Sequence, residues 1–251
     1  MSALTLRAVS KSFGGVLAVS DLSLDIPAGR ITGLIGPNGA GKTTVVNVIT
    51  GIVKPTAGRI AAGEHELTGA SPEAIARSGV ARTFQNIRLL HDQSVLDNVV
   101  VGFHRHETTS LLANLCGLPS VWRERDAFRA RARALLDRFE MTRFAMARAD
   151  SLSYGHQRRV EMMRAIAAAP EFLLLDEPVA GMNQVEADGL GAIFRALAAD
   201  GIGILLIEHN VSFVMDLCET IHVMNTGRLI AHGTADEVAR DPAVIEAYLG
   251  S

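Results

Sequence analysis

Between the apolar run Ile31–Ile35 (ITGLI) and a second one, Val45 to Thr50 (VVNVIT), the chain places GPNGAGKTT, Gly36 to Thr44. Three glycines within six positions disfavour a regular element there. Lys42, which follows them, is one of only three lysines in the chain, with Lys11 and Lys54. A glycine-rich turn between strand and helix is the plain reading. The spacing Gly36-x-x-x-x-Gly41-Lys42-Thr43, after a strand and opening a helix, supports a sharper one: a phosphate cradle. Glycines let the backbone fold tightly enough for successive N–H groups to converge on phosphate oxygens. The helix N-terminus adds its positive dipole end. Gly36, Pro37, Asn38, Gly39, Ala40, Gly41, Lys42, Thr43 and Thr44 therefore form the candidate nucleotide site. Lys42 is expected to reach the β- and γ-phosphates, and Thr43 to place its hydroxyl on Mg²⁺.

A cradle of this kind requires a second set of groups on another strand end. Glu171 to Pro178 (EFLLLDEP) supplies it. Asp176, closing an apolar strand, is placed to hold Mg²⁺, directly or through water. Glu177 beside it is placed to accept a proton from an attacking water.

The rest of the chain frames these segments. Leu4 to Phe13 and Asp21 to Pro27 alternate apolar and polar residues, as strands with one wet face do. Lys42 to Thr50 reads as a helix closed by Gly51. Gly58 to Leu67 suggests a further strand pair, and Ser71 to Arg77 a short helix capped by Ser71 with Pro72 in its first turn. From Asn86 to Ala165 the period becomes helical. In Trp122 to Met141, Phe128, Ala132, Leu135, Leu136 and Phe139 fall on one stripe. Arginines on the opposite face alternate with Glu124, Asp126, Asp137 and Glu140, which marks a solvated face rather than a nucleic-acid surface. Glu171 to Pro178 and Gly201 to Asn210 restore the short continuous apolar runs of parallel strands covered on both faces. A helix over Glu186 to Gly201 joins them. Glu219 to Gly233 reads as a hairpin turning at Asn225–Gly227, followed by short helices.

The fold expected is α/β: a phosphate-loop core with a mostly parallel sheet, an N-terminal antiparallel β part and an inserted helical subdomain. Residues 1–85 and 166–251 would form the core, and 86–165 the insertion, of one unit spanning 1–251. At 251 residues, 48% hydrophobic and 20% charged with formal net charge −3, the chain suits this size and gives no sign of a global nucleic-acid partner. Cys116 and Cys218 read as free, reduced thiols. The N-terminus lacks a signal-peptide pattern, and no apolar run reaches membrane-spanning length. A soluble, cytoplasmic protein is expected, with any membrane role coming through a partner. His104 and His106 lack further ligands at metal spacing and are read as loop residues.

With these residues in place, the chain resembles the nucleotide-binding subunits of ATP-binding-cassette transporters. Leu152 to Val160 (LSYGHQRRV) is similar to the signature stretch of that family. Gln85 in TFQN matches its Q-loop glutamine, His209 in IEHN its switch histidine, and Ala180 to Asn183 its D-loop. Phe13 stands where the family places an adenine-stacking aromatic. The resemblance implies MgATP hydrolysis at two composite sites between head-to-tail cassettes, the second cassette identical or homologous. Glu177, His209 and Gln85 would be catalytic, with Gln85 also near Mg²⁺. Ser153 and Gly155 would contact the ATP held by the opposite subunit. Membrane permease subunits, peripheral attachment to the inner face of the membrane, and an indirectly coupled substrate-binding protein are implied in the same way. Tyr154, His156 and Asn183 depart from the usual pattern, and the departures bear on that trans contact. The N-terminal stretch Lys11 to Gly29, the tyrosine-bearing signature, the segment Gly102 to Trp122 and the C-terminal Gly233 to Gly250 resemble branched-chain (hydrophobic) amino acid importers. Urea and short-amide importers share much of this pattern, and a non-transport cassette ATPase is the further alternative.

Overall fold

The structure, a computed structural model, describes residues 2–83, 88–110, 115 and 118–249. The chain forms two compact units: residues 1–85, 171–180 and 187–251 make one, and 86–170 with 181–186 the other.

The first unit is built on two sheets. The antiparallel sheet runs in the order β2-β1-β4-β5, from β1 (Ala3–Phe13), β2 (Val16–Pro27), β4 (Ala57–Ala62) and β5 (His65–Glu66). Its alternation is visible in β2, where Leu22, Leu24 and Ile26 are buried and Asp21, Ser23 and Asp25 are exposed. The β1–β2 register shifts between Leu6 and Val9, and Ala8 and Asp21 take left-handed φ of 50° and 52°. Hydroxyls satisfy the displaced backbone there: Ser23 accepts from the Ala8 N–H and Ser10 from the Asp21 N–H, each at 2.9 Å.

The second sheet has the order β10-β9-β3-β8-β7-β6. It comprises β3 (Ile31–Ile35), β6 (Val80–Arg82), β7 (Phe172–Asp176), β8 (Gly203–Ile207), β9 (Thr220–Asn225) and β10 (Arg228–Gly233). Every pairing is parallel except β9 with β10. All five residues of β3, β7 and β8 are buried, the continuous apolar pattern expected of a doubly covered sheet. The register sets Leu34 and Asp176 against Ile207, and Ile35 against Val223, so the C-terminal ends of the central strands finish level. The β9–β10 connection is the two residues Thr226 and Gly227, with φ of 44° and 79°.

Helix α1 (Lys42–Ile49) brings the two sheets into one core. Val45, Val46, Val48 and Ile49 cluster with Leu4, Leu6, Leu22 and Ile60 of the antiparallel sheet and with Leu174 and Leu205 of the parallel one. Each such side chain contributes about 1.5–3 kcal/mol on burial. Around the sheets lie α2 (Pro72–Arg77), α6 (Gln184–Ala199), α7 (Val211–Leu217), α8 (Ala235–Arg240) and α9 (Pro242–Leu249). Ser71 caps α2 as expected, accepting from the Ala74 N–H. Strand β6 and helix α7 were not anticipated from sequence.

The second unit contains α3 (Val95–Val101), α4 (Pro119–Arg138) and α5 (Tyr154–Ala167), with short 3₁₀ turns between them. The stripe predicted along α4 is observed: Phe128, Ala132, Leu136 and Phe139 are buried and Leu135 is half-buried. Phe128 stacks on Phe103 with centroids 5.5 Å apart, and the Arg131 guanidinium lies 4.5 Å over the Phe103 ring. Among the described residues no helix is long and apolar enough to cross a membrane.

Candidate functional site: a cleft at the ends of the parallel strands

The chain leaves β3 at Ile35 and must turn at once into α1. Gly36 and Gly41 make that turn possible. A Cβ on Gly36 would lie 2.1 Å from the Met224 carbonyl oxygen, and one on Gly41 2.5 Å from that of Ala18. Both also have positive φ, of 151° and 103°. Gly41 occupies the N-cap of α1 with no side chain capping the helix, so the first-turn N–H groups face outward for an anion.

The Lys42 side chain folds back over this loop. It is 6% exposed, and its Nζ donates to the Gly36 carbonyl at 2.6 Å and the Pro37 carbonyl at 3.0 Å. Burial lowers its pKa, opposed by the charges of Glu177 and Asp176. The ammonium is thereby held by the loop it serves. Behind the loop, the Tyr248 hydroxyl of α9 shares a hydrogen bond with the Gly36 backbone, and burial raises its pKa.

A cleft of about 540 Å³ opens over the loop, lined by Asn38 to Thr44, by Asp176 and Glu177 after β7, by His209 after β8, and by Thr226 and Gly227. Val16, Leu17 and Ala18 of the antiparallel sheet supply an apolar wall. Five strand-end segments thus converge where open parallel sheets bind ligands. Gly36 and Pro37 lie at the base of the loop rather than on the cleft wall.

Asp176 is 3% exposed and pairs with Arg82 of β6 at 2.9 Å. The other arm of Arg82 donates to the Asn47 side chain of α1 at 2.6 Å, tying β6, β7 and α1 together. Glu177 takes a left-handed φ of 51°, a conformation costing a non-glycine residue about 1 kcal/mol or more. Its N–H donates to the Ile207 carbonyl at 2.8 Å. Its Oε1 lies 2.8 Å from Nε2 of His209. The catalytic pair read from sequence is therefore in direct contact, across 32 residues of chain.

Thr43 and Asp176 meet in the same cleft, a hydroxyl and a carboxylate. That donor set suits a hard divalent cation shared with phosphate oxygens and water. No cluster of three or more metal-binding His, Cys, Asp or Glu occurs among the described residues.

The remaining expected site residues lie elsewhere. Phe13, at the end of β1, is 47% exposed and does not line the cleft; the Lys11 ammonium sits 4.8 Å over its ring. Gln85 lies outside the described residues. Ser153 and Gly155 belong to the second unit. Ser153 caps α5, accepting from the His156 N–H at 3.5 Å, and its hydroxyl is 2.9 Å from His156 Nδ1. Burial, then Arg159 and Arg143, lower the His156 pKa, which favours the neutral ring. Asn183 has a local role: it accepts from the Glu186 N–H at 3.0 Å, while Glu186 accepts from the Asn183 N–H at 3.1 Å. Sequence reasoning missed Arg82, Asn47, Tyr248 and Glu208, each of which has at least one partner distant in the chain.

This arrangement of a phosphate loop, an acid pair after β7 and a histidine after β8 defines a P-loop nucleotidase, and the comparisons place it further. The profile described as "ABC transporter" matches residues 19–180, and that described as "Branched-chain amino acid ATP-binding cassette transporter" matches residues 228–251. The chain belongs to the ABC transporter family, as one of its ATP-hydrolysing cassettes. It is 42% identical over 252 residues to the high-affinity branched-chain amino acid transport ATP-binding protein BraF of Pseudomonas aeruginosa, covering 100% of this chain and 96% of that protein. The lipopolysaccharide export system ATP-binding protein LptB of Escherichia coli is 36% identical, with 100% and 98% covered. A crystal structure of a nucleotide-free ATP-binding cassette from an ABC transporter superposes with a TM-score of 0.86 at 31% identity, covering 100% of both chains.

Proposed function

We propose that this chain hydrolyses MgATP to drive uptake of branched-chain amino acids. The observation that carries the chemistry is the 2.8 Å contact of Glu177 with His209 at the rim of a cleft floored by the phosphate loop. In this reading the α1 N-terminus and the Gly36–Thr44 backbone bind the phosphates, and Lys42 neutralises charge on the β- and γ-groups. Thr43 and Asp176 hold Mg²⁺, which screens the phosphate oxygens, and Gln85 senses that region. Glu177 accepts the proton of the water that attacks the γ-phosphorus. His209, hydrogen-bonded to Glu177, orients that carboxylate and contacts the γ-phosphate. Phe13, exposed beyond the cleft wall, would stack on the part of the adenine that projects out of the cleft.

Ser153 and Gly155 of a second cassette complete each site, at an α-helix N-terminus suited to phosphate. The helical unit receives a helix from membrane permease subunits. The cassette then works on the inner face of the membrane, beneath permeases that a substrate-binding protein loads. The whole-length similarity to BraF and the C-terminal match support the amino acid substrate over the export function named for LptB.

The test is reconstitution of the cassette with its permeases and binding protein in vesicles. Leucine, isoleucine and valine are expected to stimulate ATPase activity. Stimulation by urea or lipopolysaccharide alone would redirect the substrate assignment.

A further inference from the structure

Glu208 is a buried carboxylate to which neither the sequence motifs nor the mechanism above gives a role. It follows the last residue of β8, is 4% exposed, and among the described residues has no basic side chain as a hydrogen-bond partner. Burial pushes its pKa up, and the nearby charge of Glu177 acts in the same direction. Burying a carboxylate is expensive unless it is well hydrogen-bonded. Here the bonds are all backbone donors, and they come from two loops. Oε1 accepts from the Val179 N–H at 2.9 Å, and Oε2 from the His209 N–H at 3.1 Å. The Asn210 N–H also donates to it.

The two loops are those that carry the reacting pair. Val179 lies two residues beyond Glu177, and His209 is the residue whose ring touches Glu177. The arrangement is therefore a closed circuit: Glu177 to the His209 ring, His209 backbone to Glu208, Glu208 to the Val179 backbone, and back along two peptide units to Glu177. Helix capping does not account for Glu208, because Asn210 caps α7 itself, accepting from the Phe213 N–H at 3.1 Å. Nor does the apolar core, whose buried hydrophobic residues in β8 end at Ile207.

We infer that Glu208 is a positioning residue that locks the loop after β7 to the loop after β8 and so fixes Glu177 against His209. This rests on the proposed roles of Glu177 and His209. An isosteric amide breaks the circuit without emptying the site, because its NH₂ group cannot accept from the N–H it would face.

The experiment compares the full-length protein with Glu208→Gln and Glu208→Ala, measuring kcat, KM for ATP, equilibrium nucleotide binding and thermal midpoint. A second arm places Glu208→Gln in a Glu177→Gln background. Expected for Glu208→Gln is a fall in kcat of about 10–100-fold, with KM and nucleotide binding within about twofold of the parent. Glu208→Ala is expected to lose at least as much turnover. In the Glu177→Gln background the same change should cost little further, because there is no longer a base to position. Unchanged kcat in Glu208→Gln, equal losses of kcat and nucleotide binding, or a full additional loss in the double variant would each overturn the proposal. If Glu177→Gln alone keeps full turnover, the underlying catalytic assignment fails, and the positioning role falls with it.

Discussion

The two sheets of the first unit are made of similar apolar residues yet do different work. In the antiparallel sheet β2 and β4 alternate, so β4 buries Ile60 and exposes its neighbour Arg59. In the parallel sheet β7 buries Leu173 and Leu174 alike, on opposite faces. Parallel strands covered on both sides all point their C-terminal ends one way, and the register sets those of the central strands level. The loops that follow β3, β7, β8 and β9 all reach one cleft, whereas the antiparallel sheet contributes only the apolar wall Val16–Ala18. One sheet gathers chemistry at its edge; the other gives shape.

That contrast can be broken most forcefully by paired truncations. Leu173→Ala and Leu174→Ala should each cost about 2–5 kcal/mol of unfolding free energy, since both leave cavities in a fully buried strand. In β4, Ile60→Ala should cost as much, while Arg59→Ala stays within about 0.5 kcal/mol. Urea unfolding of the four variants checks this. A cost for Arg59→Ala matching that of Leu173→Ala would erase the distinction between the sheets.

Next in size is the cleft itself. Lys42→Ala removes a buried charge that holds the loop carbonyls and, in the proposed function, contacts phosphate, so nucleotide affinity should fall by about 1.5–3 kcal/mol, roughly 10–150-fold. Leu17→Ala on the antiparallel wall should change it only a few fold. Equilibrium titration with a fluorescent ATP analogue separates them, and equal losses would place phosphate recognition outside the loop.

The smallest expected effect lies at the seam of the sheets, where His222 of β9 is 6% exposed and stacks with His232 at 5.8 Å. Burial, then the neighbouring His232, lowers its pKa to about 4. Its unfolded pKa is about 6.5. Above pH 6.5 the ring is neutral in both states and stability is flat. As pH falls from 6.5 towards 4 the unfolded chain takes up a proton that the folded chain refuses, so stability is lost across that window. About 1–2 kcal/mol should disappear between pH 7 and pH 5. His222→Leu should flatten the slope of urea midpoint against pH there by this amount, and an unchanged slope would contradict the assignment.

The sequence was most readable where backbone geometry restricts residue choice. Gly36 and Gly41 stand where no side chain fits, and continuous apolar runs ending in Asp176 and before His209 marked strand ends. Strand β6 escaped because three residues carry no period, and its pairing with β7 is set across about ninety positions. The Arg82–Asp176 bond and the Glu208 circuit escaped for the same reason: each joins segments that only the folded sheet brings together. Asn183 was legible as a departure but not as a helix-capping residue, which needed the position of Glu186. Phe13 illustrates the converse, since its place in the chain suggested the nucleotide site while the structure leaves it outside the cleft wall.

The central claim is that the ends of the parallel strands bind MgATP and that Glu177 activates water there. Its most direct test is Glu177→Gln, with ATP binding and ATPase rate measured on the same preparation. Binding should be retained while turnover falls by about 10²–10⁴. Turnover close to that of the parent, with binding intact, would contradict the account.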